Sequence, residues 1–253
     1  MSSDTTTAPS TGGAAEPYFP PKHAVVGVLG GMGPAATIDL MRRVMEATPA
    51  SDDVDHIHLV VDQNPKVPSR IDALINRTGP SPRDELVRMA KSLEASGATM
   101  LAIACNTAHG YADDIAASVG IPLLNMVTLT AEAIAARPGP VRKVGMLAST
   151  AVLQLGMFEK AFSAFGIETR YPDRQDDVMR IIRGVKAEGA TDALAADFDA
   201  LARELADGVD VLAIACTELS LLVDRMGKDM PVVDALDVLV STIVTRALAP
   251  TEA

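Results

Sequence analysis

Residues 101–105 read Leu-Ala-Ile-Ala-Cys, and residues 212–216 read Leu-Ala-Ile-Ala-Cys again. Each word is a short apolar run, the pattern of a parallel strand buried on both faces. Each ends on a cysteine, and these are the only two cysteines of the chain. A polar pair follows in both places, Asn106-Thr107 in the first and Thr217-Glu218 in the second. The repeat predicts one thiol at the carboxyl end of a strand in each of two similar halves. In open α/β sheets that edge is where ligands bind. Two matched thiols facing one cleft suggest chemistry with a proton donor on one side and an acceptor on the other.

Outward from these words, short apolar runs alternate with helical patterns. Strands are expected near 24–29, 57–61, 99–104, 121–124, 143–148, 167–170, 210–215 and 231–233. Between them, Ile38, Met41 and Met45 recur at helical spacing, as do Leu86, Ala90 and Leu93. Leu155, Phe158, Phe162 and Phe165 form a third stripe, and Leu194, Phe198, Leu201 and Leu205 a fourth. The aromatic stripes read as core because they keep an amphipathic period. Strand-helix alternation predicts parallel sheets covered on both faces.

The duplication extends beyond the thiols. Gly27-Val28-Leu29-Gly30 corresponds to Gly145-Met146-Leu147-Ala148, 118 residues on, while the cysteine words lie 111 residues apart. A period this long is a domain duplication, not a solenoid. Arg137-Pro138-Gly139-Pro140 is the best linker signal. The expected division is residues 22–127 plus 235–249 for the first α/β domain and 128–234 for the second. The last helical pattern, Leu236 to Ala247, could cap either half. Residues 1–21 are rich in Ser, Thr, Gly, Ala and Pro and read as a disordered leader. They lack the basic start and apolar core of a secretory signal.

Composition narrows the function. The chain has 253 residues, 48% of them apolar and 3% aromatic, with no Trp, so the core must be built from Ala, Val, Leu, Ile and Met. The net charge of −11 argues against nucleic acid and anionic membrane surfaces as partners. No apolar stretch approaches the roughly 18 residues of a membrane span. Two cysteines make no disulfide framework, and the expected compartment is the reducing cytoplasm.

Three loops carry candidate chemistry. Gly30-Gly31-Met32-Gly33-Pro34 follows a strand and opens a helix, with Pro34 suited to the first helical position. It could cradle a small anion on backbone N–H groups, bind a dinucleotide, or serve as a structural turn. The acidic ribose reader of a dinucleotide fold would fall near Asp52–Asp53, which reads as a loop. Cys105-Asn106-Thr107-Ala108-His109 puts a thiol near a helix start, where a thiolate is stabilised. A zinc site is disfavoured, since no C-x-x-C spacing exists and only four histidines are available. Asp62-Gln63-Asn64-Pro65-Lys66-Val67-Pro68-Ser69-Arg70 is a proline-stiffened loop that displays Arg70, either to solvent or to a carboxylate. In the second half Lys186 ends a helical pattern, as a partner for the helix terminus or as a second carboxylate anchor. Ser149-Thr150 is the counterpart of the glycine loop, an anion site or a helix cap.

Taken together, GGMGP, Q-N-P-x-x-P-x-R, C-N-T-A-H and C-T-E-L resemble the aspartate/glutamate racemase superfamily, from about Val25 to Val240, and its aspartate racemase branch in particular. The resemblance implies two pseudo-symmetric, Rossmann-like α/β domains with mainly parallel sheets and an active site in the interdomain cleft. It implies a cofactor-independent and metal-independent amino-acid racemase, with aspartate as the leading substrate and a homodimer as the assembly. A broad-specificity racemase, or another two-thiol isomerase acting on a small dicarboxylate, is the alternative. Cys105 and Cys216 match the opposed acid and base. Arg70 and Lys186 match positions that hold the side-chain carboxylate. Asn106, Thr107, Thr150 and Thr217 match positions near the α-carboxylate and amine, and Gly31, Met32, Gln63 and Glu218 complete the candidate binding set. Ala151-Val152 after Thr150 departs from the further Thr and Gly residues common in the family, which bears on substrate choice.

Overall fold

The structure is a computed structural model that describes residues 24–249. The expected leader, residues 1–21, lies outside the described residues. The first half runs β1 (Val25–Gly30), α1 (Pro34–Ala47), β2 (His58–Gln63), α2 (Arg83–Ala95), β3 (Met100–Ile103), α3 (Ala112–Ala116), β4 (Leu123–Leu124) and α4 (Met126–Ala135). The second runs β5 (Lys143–Ala148), α5 (Thr150–Leu155), α6 (Met157–Ser163), β6 (Glu168–Arg170), α7 (Gln175–Glu188), α8 (Asp192–Ala206), β7 (Val211–Ala215), α9 (Thr217–Ser220), β8 (Val232–Asp234) and α10 (Ala235–Ala247). Strands order as β2-β1-β3-β4 in one sheet and β6-β5-β7-β8 in the other, so the two sheets have the same topology. Every pairing is parallel.

The two duplicated landmarks lie beside each other. Gly27 pairs with Leu101 and Leu29 with Ile103. In the second sheet Gly145 pairs with Leu212 and Leu147 with Ile214. The cysteine words hide a period of two inside their apolar run. Leu101, Ile103 and Cys105 face one core cluster, while Ala102 and Ala104 face another. Leu212, Ile214 and Cys216 do the same against Ala213 and Ala215. Alternation on a pleated strand sends successive side chains to opposite faces. The word therefore carries each thiol off the sheet on the face of its large aliphatic residues.

Both halves bury both faces of their sheet. In the first, α2 packs on one face through Leu86, Met89, Ala90 and Leu93. The other face takes Leu40 and Val44 of α1 together with Leu236, Leu239, Val240 and Ile243 of α10. Thus α10 starts at the end of a second-sheet strand and packs on the first sheet. Helix α4 runs the other way, with Met126 in the first-half core and Val127, Ala131 and Ile134 in a second-half core. No described helix is long and apolar enough to cross a membrane.

Two apolar stripes are not buried along their whole length. Ile38, Met41 and Met45 are 58, 38 and 54% exposed. The buried face of α1 is instead Ala36, Thr37, Asp39, Leu40 and Val44. Asp39 can turn inward because Arg43, one turn on, neutralises it at 2.8 Å. Phe158 and Phe162 are fully buried and stack, as expected, but Phe165 is 48% exposed because α6 ends at Ser163 and the period is broken.

Candidate active site

Cys105 and Cys216 lie on the wall of one cavity of about 380 Å³ between the halves. Each thiol is 7% exposed, and both cysteines are free. Cys216 is the N-cap of α9 and its Sγ donates to Glu218 Oε2 at 3.3 Å. Helix-start stabilisation of its thiolate does not prevail. Burial raises the Cys216 pKa well above the ordinary thiol value, and the Glu218 carboxylate adds to it. Desolvation penalises the charged form, and a neighbouring anion does the same. Cys216 is therefore a thiol at neutral pH.

Cys105 is followed by a 3-10 turn, Thr107–Tyr111, rather than directly by an α-helix. His109 in that turn is buried, and its Nδ1 lies 2.9 Å from the Cys105 carbonyl oxygen. The Met126 N–H donates to His109 Nε2 at 3.1 Å. A donor at Nε2 requires that nitrogen to accept, so Nδ1 carries the proton and donates to Cys105. Burial pulls the His109 pKa down to about 4, which keeps the ring neutral. With both ring nitrogens engaged by backbone, His109 ties the Cys105 turn to the start of α4 and has no nitrogen left for a metal.

The polar wall between the thiols comes from both halves. Asn106 is 3% exposed, and neither its Oδ1 nor its Nδ2 has a hydrogen-bond partner among the described residues. A buried amide without partners is rare in a folded protein, and this one stands beside Cys105 on the cavity wall. Thr107 Oγ1 and Ser149 Oγ meet at 3.3 Å across the halves. Thr217 Oγ1 donates to the Ala104 carbonyl at 3.4 Å, another contact across them.

Two cations reach the cavity in different states. Arg70 donates to the carbonyls of Pro68 at 3.1 Å, Met32 at 3.2 Å and Val67 at 3.4 Å. These contacts hold the guanidinium in place and leave its charge unmatched: among the described residues no carboxylate pairs with it. Lys186, in the last turn of α7, pairs through Nζ with Glu218 Oε1.

Of the expected binding residues, Met32, Arg70, Asn106, Thr107, Lys186, Thr217 and Glu218 line the cavity with the thiols. Gly31, Gln63 and Thr150 are not on its wall. The Gly31 N–H donates to Thr37 Oγ1 at 2.9 Å, so it serves the turn rather than an anion. Gly31 has φ +85°, and a Cβ there would lie 2.4 Å from the Asn64 backbone. Only glycine fits that crossing of the two loops. Gln63 ends β2 in an exposed position. The Thr150 N–H points to Met179 Sδ at 3.3 Å. Ser149 reaches the wall instead and also caps α5 through Val152 N–H at 3.3 Å. Met179 and Ile182 complete the apolar part of the wall. The signal for them is their place seven and four residues before Lys186, on the same helical face.

The Asp/Glu/Hydantoin racemase family profile matches residues 29–243. The broad specificity amino-acid racemase RacX of Bacillus subtilis (strain 168) is 27% identical over 230 residues, covering 89% of this chain and 99% of that protein. Among solved structures, the Picrophilus torridus aspartate racemase superposes with a TM-score of 0.80 at 29% identity, covering 88% of this chain and 94% of that one. An aspartate racemase homologue from Pyrococcus horikoshii OT3 shares the fold with a TM-score of 0.68 at 21% identity, covering 88% and 98%.

Proposed function

The chain belongs to the Asp/Glu/Hydantoin racemase family, and from that premise we propose that it is an amino-acid racemase that works with two thiols and no cofactor. The observation that carries the reading is the pair of buried thiols, one at the end of each duplicated strand, on one cavity wall. One thiolate takes the α-proton, and the electron pair of the Cα–H bond delocalises into the α-carboxylate. The opposite thiol gives its proton to the other face of Cα. The enantiomer bound sets which of Cys105 and Cys216 accepts the proton and which donates in a given direction. The next turnover in that direction requires the two protonation states to reset through solvent. The unpartnered Asn106 amide and the hydroxyls of Thr107 and Thr217 are the donors available to the carboxylate as its negative charge builds, and such preorganised donors supply much of the barrier reduction.

Aspartate is the proposed leading substrate. Arg70 supports it as an immobilised guanidinium with no paired carboxylate among the described residues, and Lys186 offers a second cation from the other half. A broad substrate range is the second reading, favoured by the pairing of Lys186 with Glu218. We place the protein in the cytoplasm, where both thiols stay reduced, as a homodimer with no nucleic-acid or membrane partner. Residues 22–127 plus 235–249 and residues 128–234 are the proposed domains, which puts α10 with the first sheet it packs on.

Incubation of pure protein with single enantiomers of a panel of amino acids, followed by chiral separation, tests this. Racemisation of aspartate with α-deuterium incorporation in heavy water is expected without added pyridoxal phosphate, nicotinamide or metal. Activity lost on dialysis against a chelator and restored by a metal would count against it. Absence of α-proton exchange on every amino acid would leave a ligand-binding protein.

The contribution of Arg70 is separately measurable. A charge-assisted contact contributes about 1.5–3 kcal/mol, so Arg70→Ala should lower kcat/KM for aspartate roughly tenfold to a hundredfold. Lys186→Ala acts in the same direction, because it leaves the Glu218 carboxylate unopposed. Alanine, with no second carboxylate, should be affected much less. Equal losses on both substrates would assign these residues to domain closure rather than side-chain reading.

A further inference from the structure

Beside Gly33 in the glycine loop stands a carboxylate of the protein itself. A methyl group at Gly33, the N-cap of α1, would stand 3.0 Å from Glu218 Oε1 and 3.6 Å from Lys186 Nζ. Three segments distant in sequence thus converge on one carboxylate: the start of α1, the last turn of α7 and α9. The Glu218 side chain is 10% exposed and that of Lys186 45%. The other carboxylate oxygen, Oε2, accepts from the Cys216 thiol at 3.3 Å. The unpartnered Asn106 amide lines the same cavity, so the pocket retains capacity for a ligand while its Lys186 corner is already neutralised.

We propose that Glu218 is a built-in competitor for the substrate's second carboxylate and narrows the advantage that aspartate holds over amino acids with uncharged side chains. An uncharged side chain leaves the Glu218–Lys186 pair intact. A dicarboxylate must draw Lys186 away from Glu218, and a buried carboxylate is then left without its cation beside a second anion. Breaking such a pair costs more than the new interaction returns, because the abandoned charge remains desolvated. Glu218 is therefore a specificity-determining residue, a role that rests on reading Lys186 as a substrate contact. Glu218→Gln keeps the shape and removes the charge, which frees Lys186 for a ligand.

The deciding measurement is calorimetric binding of succinate, a dicarboxylate without an α-amine that needs no turnover. E218Q should bind succinate about tenfold or more tightly than the unaltered protein, the effect of one charge-assisted hydrogen bond. The double variant K186M/E218Q should lose that increase. The kcat/KM ratio of aspartate over alanine should rise in E218Q by a similar factor. Succinate binding by E218Q that is unchanged or weaker overturns the proposal, as does an unchanged ratio in an active variant. Should E218Q fail to fold, E218S removes the same charge and is read the same way. If the unaltered protein racemises nothing, the proposed function fails while succinate binding still decides the role of Glu218.

Discussion

Cys105→Ala and Cys216→Ala should each reduce racemisation of aspartate to background, a loss of at least a hundredfold and up to about ten-thousandfold. That is the range a positioned acid or base contributes. The reason is geometric. Each thiol ends its own strand in its own half, so in the proposed mechanism each serves one face of Cα. Each variant keeps one thiol, and should wash deuterium into the α-position of one enantiomer without inverting it. The variants should retain cooperative thermal unfolding, since alanine preserves the apolar packing of a 7% exposed side chain apart from its sulfur. Chiral chromatography, deuterium exchange and a melting curve on the same samples separate lost chemistry from lost fold. Full interconversion by either single variant would sink the two-thiol mechanism.

The second large effect is on stability. Arg43 of α1 is the centre of a largely buried ionic cluster that joins four elements, α1, β8, α9 and α10. It donates to Asp39 at 2.8 Å, to Asp234 at 2.9 Å, to Asp237 at 2.6 Å and to the Ser220 carbonyl at 2.8 Å. Ser220 in turn donates to Asp234 Oδ1 at 2.7 Å. The cluster fixes α9, which carries Thr217 and Glu218, to the helices of the first half. The Asp39 and Asp234 side chains are 6% and 1% exposed, while Arg43 is 12% exposed. Arg43→Met keeps the volume and abandons two buried carboxylates. Removing one partner of a buried pair costs about 3–5 kcal/mol. Asp39 retains Arg42 at 2.7 Å and Asp234 retains Ser220, so the lower end, about 3 kcal/mol, is expected. That corresponds to a fall of roughly 6–12 °C in Tm for a chain of this size.

The loss should depend on pH in a definite direction. Burial raises the Asp234 pKa to about 6, against the opposing pull of Arg43. Without Arg43 it rises further. A carboxyl whose folded pKa exceeds its unfolded value binds more protons when folded, so stability falls as pH rises through that pKa. The R43M deficit should therefore be largest at alkaline pH, shrink as pH falls through the variant's higher Asp234 pKa toward about 6, and level off below it, where Asp234 is protonated with or without Arg43. Denaturant melts at several pH values read this directly. A deficit that grows on acidification would mean that Asp234 is not the group left stranded.

Much of this molecule is legible one segment at a time. The words Leu101–Cys105 and Leu212–Cys216 are strands because a run of apolar residues with no turn former satisfies a two-sided sheet. Their alternation of large residue and alanine sends Cys105 and Cys216 to the same kind of face. Pro34 begins α1, and Val178, Ile181, Ile182 and Val185 bury one side of α7, as local periodicity requires. Arg70 and Lys186 could be picked out as cations worth watching, although the segment alone left each with a surface reading.

The remaining features depend on distances between segments. Helix α1 carries two stripes at helical spacing, and only packing against α10 selects Leu40 and Val44 over Ile38, Met41 and Met45. Ser149 rather than Thr150 reaches the cavity because one residue of rotation at the start of α5 separates wall from scaffold. Cys216 is protonated because the fold buries it beside a carboxylate, which outweighs its place at a helix start. Sequence by itself determined the two similar α/β halves and the thiol at the end of one strand in each, since periodicity is set by near neighbours and the repeated words mark the duplication. Tertiary structure alone decided that Lys186 meets Glu218 at the start of α1 while Arg70 meets no carboxylate among the described residues. Charge pairing follows burial and distance in space, which separations of tens of residues along the chain do not reveal.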